Sequence, residues 1–212
     1  MKTKEKIVVF GAGGHAKVVI DIIEQQGNYE IAGLLDDDLK HRGKRFFGYP
    51  VLGTRVELPT LISAQLRHAI VTIGDNASRA AVAAHLDQQG WRFAGAVHPR
   101  ASIGRGVKIG PGSVVMAGCV VNADAYLGAQ VIVNTGATVD HDCRIGDAVH
   151  IAPGCHLCGG VSVGQGTLLG AGSTVTPGVR IGRNVIVGAG STVIRDVADA
   201  ARVSGVPARP LD

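Results

Sequence analysis

The chain has 212 residues, with charged residues at 18%, hydrophobic residues at 46% and a formal net charge of +4. That aliphatic character excludes general disorder, which needs low hydrophobicity and high charge. No stretch approaches the ~18 consecutive apolar residues of a membrane-spanning helix. Lys and Arg never run beyond two together and aromatics are 4%, too few for base-stacking platforms, so nucleic acid and membrane are not expected partners and small polyanions are. The charged start, Met1 to Lys6, leads into an apolar run broken between Gly11 and Lys17. That is not a secretory leader pattern, and a cytoplasmic protein is expected.

Ile7 to Phe10 reads as a buried strand, followed by a Gly-rich turn. From Ala16 to Gln26 the apolar positions Val18, Val19, Ile22 and Ile23 mark one helix face. Ile31 to Leu35 predicts a second strand, ending at Asp36-Asp37-Asp38. His68 to Ile73 predicts a third, Asn76 to Gln89 an Ala-rich helix, and Phe93 to Val97 a strand closing the sheet. Strands alternating with helices argue for a small parallel sheet with helices on its faces. Residues 1–97 are therefore expected to be a Rossmann-like α/β domain.

The helical signal then disappears. Residues 101 to 196 divide without gaps into sixteen units of six, from ASIGRG to STVIRD. The third position is aliphatic in every unit, the first is small or β-branched, and the fourth is most often Gly. Each unit reads as one short strand plus a corner, and three units as one triangular coil of 18 residues. The third-position side chains point inward and stack into a continuous core, each coil burying its apolar face on its neighbours. Residues 98–212 are thus expected to form a parallel β-helix with a C-terminal tail. The fourth-position Gly is expected where the corner needs unusual backbone angles.

Gly11-x-Gly13-x-x-Ala16 lies between a strand and a helix, with acidic residues about 20 positions on, which meets the G-x-G-x-x-G/A pattern. The turn's amides and the helix N-terminus favour phosphate oxygens. A domain of about 95 residues is short for two mononucleotide halves, so one nucleotide is expected rather than a nicotinamide cofactor. Gly74-Asp75-Asn76 ends a strand, where open α/β sheets bind ligands.

Asp140-His141-Asp142 breaks the small-residue corner, and an imidazole flanked by carboxylates is a candidate general base. His150 follows nine residues later, half a coil, so His141 and His150 of one chain cannot converge. They can meet only across an interface between neighbouring prisms. Gly159 stacks one coil along from His141, where a missing side chain lets a thioester approach the backbone, and Ala171 and Ala189, also 18 apart, line a shallow track. Cys155-x-x-Cys158 is explained by the repeat. Cys119, Cys143 and Cys155 take the small first position and no second pair has zinc-ligand spacing, so no metal and no acyl-cysteine are expected.

The Gly11-Ala-Gly-Gly-His15 opening followed by hexapeptides containing Asn134-Thr-Gly-Ala-Thr-Val-Asp-His-Asp142 resembles the nucleotide-linked amino-sugar N-acetyltransferases of the hexapeptide-repeat superfamily, with sialic acid O-acetyltransferases as relatives. The resemblance implies a left-handed β-helix and a homotrimer that uses acetyl-CoA, with a nucleotide-linked amino sugar on the N-terminal domain. It implies that Gly13, Gly14 and His15 approach the sugar nucleotide, and Asp36 and Asp37 its base or ribose, with Gly74 and Asn76 beside them. It makes His141 the base that takes the proton from the attacking amine, with Asp142, where some relatives carry Glu, raising its basicity. It assigns acetyl-CoA contacts to His150, Gly159, Ala171 and Ala189, and it lets Arg209 of the closing Gly205-Val-Pro-Ala-Arg209 segment face coenzyme phosphates. The expected reaction is acetylation of a UDP-linked 4-amino-4,6-dideoxy sugar. GDP- or dTDP-linked sugars, O-acetylation, and a non-catalytic binding trimer are the alternatives.

Overall fold

The computed structural model describes residues 4–211, so Met1 to Thr3 of the charged start lie outside the described residues. The chain divides between His98 and Pro99 into two compact units.

In the first unit, strand β1 (Glu5–Phe10) leads into helix α1 (Gly14–Gln26) and strand β2 (Tyr29–Leu35). A short antiparallel pair, β3 (Arg45–Phe46) and β4 (Tyr49–Gly53), and a short helix α2 (Leu58–Ser63) follow. Then come β5 (His68–Val71), α3 (Asn76–Gln88) and β6 (Arg92–Phe93). The sheet runs β3-β4-β2-β1-β5-β6, with β4, β2, β1, β5 and β6 pairing in parallel. Ile7 to Phe10 are fully buried, which is why this run is apolar without alternation. Helix α1 buries Ala16, Val19, Ile20, Ile22 and Ile23. Val18, assigned to that face in the sequence, is 41% exposed, because a 3.6-residue period carries it around to the solvent side. The expected closing strand is two pieces: Arg92–Phe93 pairs with β5, and Ala96–Val97 is a separate strand.

The second unit has sixteen two-residue strands, Ser102–Ile103 through Thr192–Val193, each occupying positions two and three of its hexapeptide. Every strand pairs in parallel with the strand 18 residues away: Thr138 with His156, Arg144 with Ser162, His150 with Leu168. Three faces result, and third-position residues from Val115 to Val193 are buried in the prism. Ile103, 39% exposed, and Ile109, half-buried, are the exceptions, at the start of the stack. Burying one such side chain contributes roughly 1.5–3 kcal/mol, and each full coil supplies three. First-position residues fill the space beside them, and the polar ones return hydrogen bonds: Ser113 Oγ donates to Gly128 O at 2.8 Å and Thr167 Oγ1 to Gly182 O at 2.8 Å.

The fourth-position Gly has a different cause from the one expected. The left-handed backbone falls at the sixth position, as at Gly136 (φ 68°) and Asp142 (φ 60°). A Cβ on Gly164 would instead lie 2.6 Å from the backbone nitrogen of Arg183 in the next coil. Close stacking of coils, not backbone angle, excludes a side chain at the fourth position.

Candidate active site

The strand order reverses direction around β1, the switch point at which open α/β sheets gather ligands at their carboxyl ends. Loops from three such ends meet there and line a cleft of about 410 Å³, with Gly13, Gly14, His15, Asp36, Asp37 and Gly74 among its walls. A Cβ built on Gly13, Gly14 or Gly74 meets nothing within 4 Å. Their bareness therefore answers no internal packing need and leaves the cleft open to close approach. Helix α1 starts here without a side-chain cap on its N-terminal amides, a setting that favours an anion. His15 is half-buried in the first turn.

The two acidic residues after β2 have different work. Asp36 straps the glycine turn: its carboxylate accepts from Ala12 N–H at 2.5 Å and Asp38 N–H at 2.8 Å, and His41 Nδ1 lies 3.3 Å away. Asp37 is gripped by Arg55, whose side chain donates through Nε at 2.9 Å and through Nη2, and whose backbone N–H donates at 3.1 Å. Those bonds hold the Asp37 carboxyl below its ordinary range. The opposite rim is held by Arg79, 1% exposed, which the sequence reading missed. Its guanidinium donates to Ile73 O and Gly74 O at 3.0 Å each and to Asn76 Oδ1 at 2.8 Å. Burial pushes its pKa down to about 10. The legible signal was Arg79 three residues after Asn76, on one face of a helix.

On the prism, Asp140, His141 and Asp142 form an exposed corner. His141 Nδ1 and Asp142 Oδ2 are 2.8 Å apart. The positive φ of Asp142 turns its short side chain back toward the imidazole, so the missing methylene relative to Glu does not prevent contact. Asp140 Oδ1 accepts from His141 N–H and from Asn122 Nδ2, both at 2.8 Å. The Asp142 hydrogen bond, then the Asp140 charge, raise the His141 pKa above its usual value. With Nδ1 engaged by Asp142, Nε2 is the ring nitrogen left for other partners. It leans over Gly159, where a Cβ would lie 2.5 Å from it. Gly159 therefore makes room for the imidazole, which is a role separate from the acetyl-CoA contact expected of it.

His150 lies on a strand of the face opposite the His141 corner, so the two histidines of one chain stay apart. Asn134 Oδ1 accepts from Thr135 N–H at 2.8 Å, which leaves Asn134 Nδ2 to donate to His150 Nε2 at 3.2 Å. Asn134 lies inside the 134–142 motif, and its partner 16 residues on is one coil less two. Ala171 and Ala189 are both exposed on another corner, joined through the Gly190 N–H bond to Ala171 O at 2.8 Å. Cys119 and Cys155 direct Sγ to backbone carbonyls, and burial raises both thiols. Burial pushes Cys143 up to about 11, which disfavours a nucleophilic thiolate. Among the described residues no cluster of three or more His, Cys, Asp or Glu is gathered for a metal.

The family model for the PglD N-terminal domain matches residues 6–86, and the bacterial transferase hexapeptide model matches residues 100–135, 142–177 and 160–195. The structure is similar to PerB from Caulobacter crescentus, solved with CoA and GDP-perosamine, at 42% identity and TM-score 0.93 over 98% of this chain and 97% of that one. It is also similar to the acetyltransferase domain of PglB from Neisseria gonorrhoeae, solved with acetyl coenzyme A, at 39% identity and TM-score 0.91 over 99% and 100%. The UDP-N-acetylbacillosamine N-acetyltransferase of Bacillus subtilis is 38% identical over 115 residues, 53% of this chain. The chain spans about half the length of that curated relative, 52%. The fold and site therefore define a hexapeptide-repeat acyltransferase, a Rossmann-like α/β domain followed by a left-handed parallel β-helix. Within that class, the chain belongs to the nucleotide-linked amino-sugar N-acetyltransferases.

Proposed function

We propose that the chain transfers the acetyl group of acetyl-CoA to the amine of a nucleotide-linked amino sugar, with His141 as general base. The neutral amine attacks the thioester carbonyl, and His141 Nε2 takes the proton the nitrogen sheds. The C–S bond then breaks and coenzyme A leaves as its thiol. Asp142 fixes the imidazole's tautomer and stabilises the imidazolium that forms. The observation that carries this reading is the 2.8 Å His141–Asp142 contact at an exposed corner, with Nε2 left to accept. The glycine-lined cleft of the first unit binds the nucleotide, with Asp36 and Asp37 toward base or ribose. His150, Ala171 and Ala189 line the acetyl-CoA path of a neighbouring chain in a homotrimer.

The Asp36-Asp37 pair favours a uridine nucleotide and a 4-amino-4,6-dideoxy sugar. A guanosine reading has its own support, because PerB, solved with GDP-perosamine, matches nearly the full chain. Acetyl-CoA offered with UDP-, GDP- and dTDP-linked amino sugars separates them, read by thiol appearance and product mass. His141→Ala is expected to lower turnover at least ~10²-fold with the best sugar. An unchanged rate ends the general-base assignment.

A further inference from the structure

The corners of the prism treat the fourth hexapeptide position differently. One keeps glycine at every coil: Gly110, Gly128, Gly146, Gly164 and Gly182. The corner of His141 reads Gly104, Asn122, Asp140, Cys158, Thr176 and Ile194 at that position, each 18 residues from the last. This corner therefore admits side chains. The coil that carries the imidazole and the coil before it fill the place with a carboxylate and an amide.

The coil ladder sets the two side by side: Asn122 N–H donates to Val139 O at 2.9 Å and Asp140 N–H to Leu157 O at 3.0 Å. Asn122 Nδ2 then donates to Asp140 Oδ1 at 2.8 Å, and the same oxygen accepts the backbone N–H of His141 at 2.8 Å. One oxygen thus ties the preceding coil to the residue that bears the imidazole. From the following coil, Gly160 N–H donates to His141 O at 2.9 Å. The main chain of His141 is pinned on both sides, which fixes the direction in which its side chain leaves and keeps the ring over Gly159. Burial does not supply that order, because His141 is exposed. Thr176, two coils on, shows the plainer use of a polar group at this position: its Oγ1 donates to Val193 O at 3.2 Å.

The same bonds act on charge. The His141 N–H and then the Asn122 amide hold the Asp140 carboxyl below its ordinary range. The Asp140 charge, second to the Asp142 hydrogen bond, favours the imidazolium. Asp124, Cys143, Arg144 and Cys158 are the other titratable or charged groups on the adjoining turns. Among the described residues none of them makes a hydrogen bond or ion pair with the ring.

We propose that Asn122 and Asp140 are positioning residues for the proton acceptor: Asn122 fixes Asp140 across the coil boundary, and Asp140 fixes the main chain, and hence the ring, of His141. The assignment rests on the general-base reading above. It extends that reading by two residues that act through the imidazole and not on either substrate.

The test uses acetyl-CoA with the best of the UDP-, GDP- and dTDP-linked amino sugars. Asp140→Asn keeps an oxygen for both donors and removes the charge, whereas Asp140→Ala removes both. With the KM values little changed, kcat should fall about tenfold in Asp140→Ala and about fivefold in Asn122→Ala, and stay within about threefold of wild type in Asp140→Asn. The rising limb of kcat/KM should move to lower pH in both Asp140 variants, because the charge that favours the imidazolium is gone. It should hold its place in Asn122→Ala, which leaves Asp140 ionised. Asn122→Ala should cost nothing further in the Asp140→Ala background, since it acts only through that carboxylate. A full second loss in the double variant gives Asn122 a separate structural role and overturns the proposal. Undiminished kcat in Asp140→Ala overturns it too, and so does a raised sugar-nucleotide KM in place of the kcat loss, which would put Asp140 on the substrate. Should Asp140→Ala fail to fold, Asp140→Asn decides, and an unmoved limb overturns the assignment. Full turnover in His141→Ala would instead defeat the general-base reading beneath it.

Discussion

Asp142 and Gly159 act on one imidazole from two sides, and their substitutions should give different signatures. Asp142 raises the His141 pKa by hydrogen bonding and charge, with Asp140 adding to it. The base works only when unprotonated, so kcat/KM should rise with pH through the His141 titration and level off above it. Asp142→Asn removes the larger support, so the rising limb should move to lower pH and the plateau should fall, because a weaker base accepts less readily. A limb that stays in place would mean another group controls the profile. Gly159→Ala puts a methyl group where Nε2 now sits, 2.5 Å from it. The ring must swing aside, so kcat should fall at least about tenfold with the acetyl-CoA KM nearly constant. A KM effect with kcat preserved would return Gly159 to the thioester role.

At the scale of the element, the coil converts a pattern into stability that can be measured. Leu157 is 1% exposed in mid-stack and Ile103 is 39% exposed at its start. Leu157→Ala should therefore cost about 2–5 kcal/mol in denaturant unfolding, and Ile103→Ala well under that. Equal losses would contradict the stacked core. The same contrast explains what was readable beforehand. The hexapeptide period is a long, redundant signal, and it placed the strands and their inward positions without help from tertiary contacts. The Arg45–Gly53 pair and α2 are short and carry no period, so nothing in the local sequence marked them. Asp36 and Asp37 were legible as a pair, but their separate duties depend on Ala12 and Arg55, residues 24 and 18 positions away. Arg79 was hidden for a similar reason. A charged residue in a surface-style helix reads as solvated, and only the fold turns it inward beneath Gly74.

At the scale of the molecule, the prism separates the two halves of the chemistry. His141 stands on one corner, while His150 stands on the face opposite and Ala171 and Ala189 on another corner. On the proposed reading one chain supplies the proton acceptor and its neighbour the Ala171–Ala189 wall of a given site, so a cyclic ring would close each site with two chains. Subunit mixing tests this directly. His141→Ala removes the base and keeps the track; Ala171→Trp fills the track and keeps the base. Each homotrimer should be inactive. In an equimolar mixture, dissociated and reassembled, a site regains function when an intact corner meets an intact track. Random assembly gives that pairing at about a quarter of sites. Recovery near that fraction requires the composite site. If base and track came from the same chain, every site would keep one lesion, and the mixture would stay as inactive as its parents.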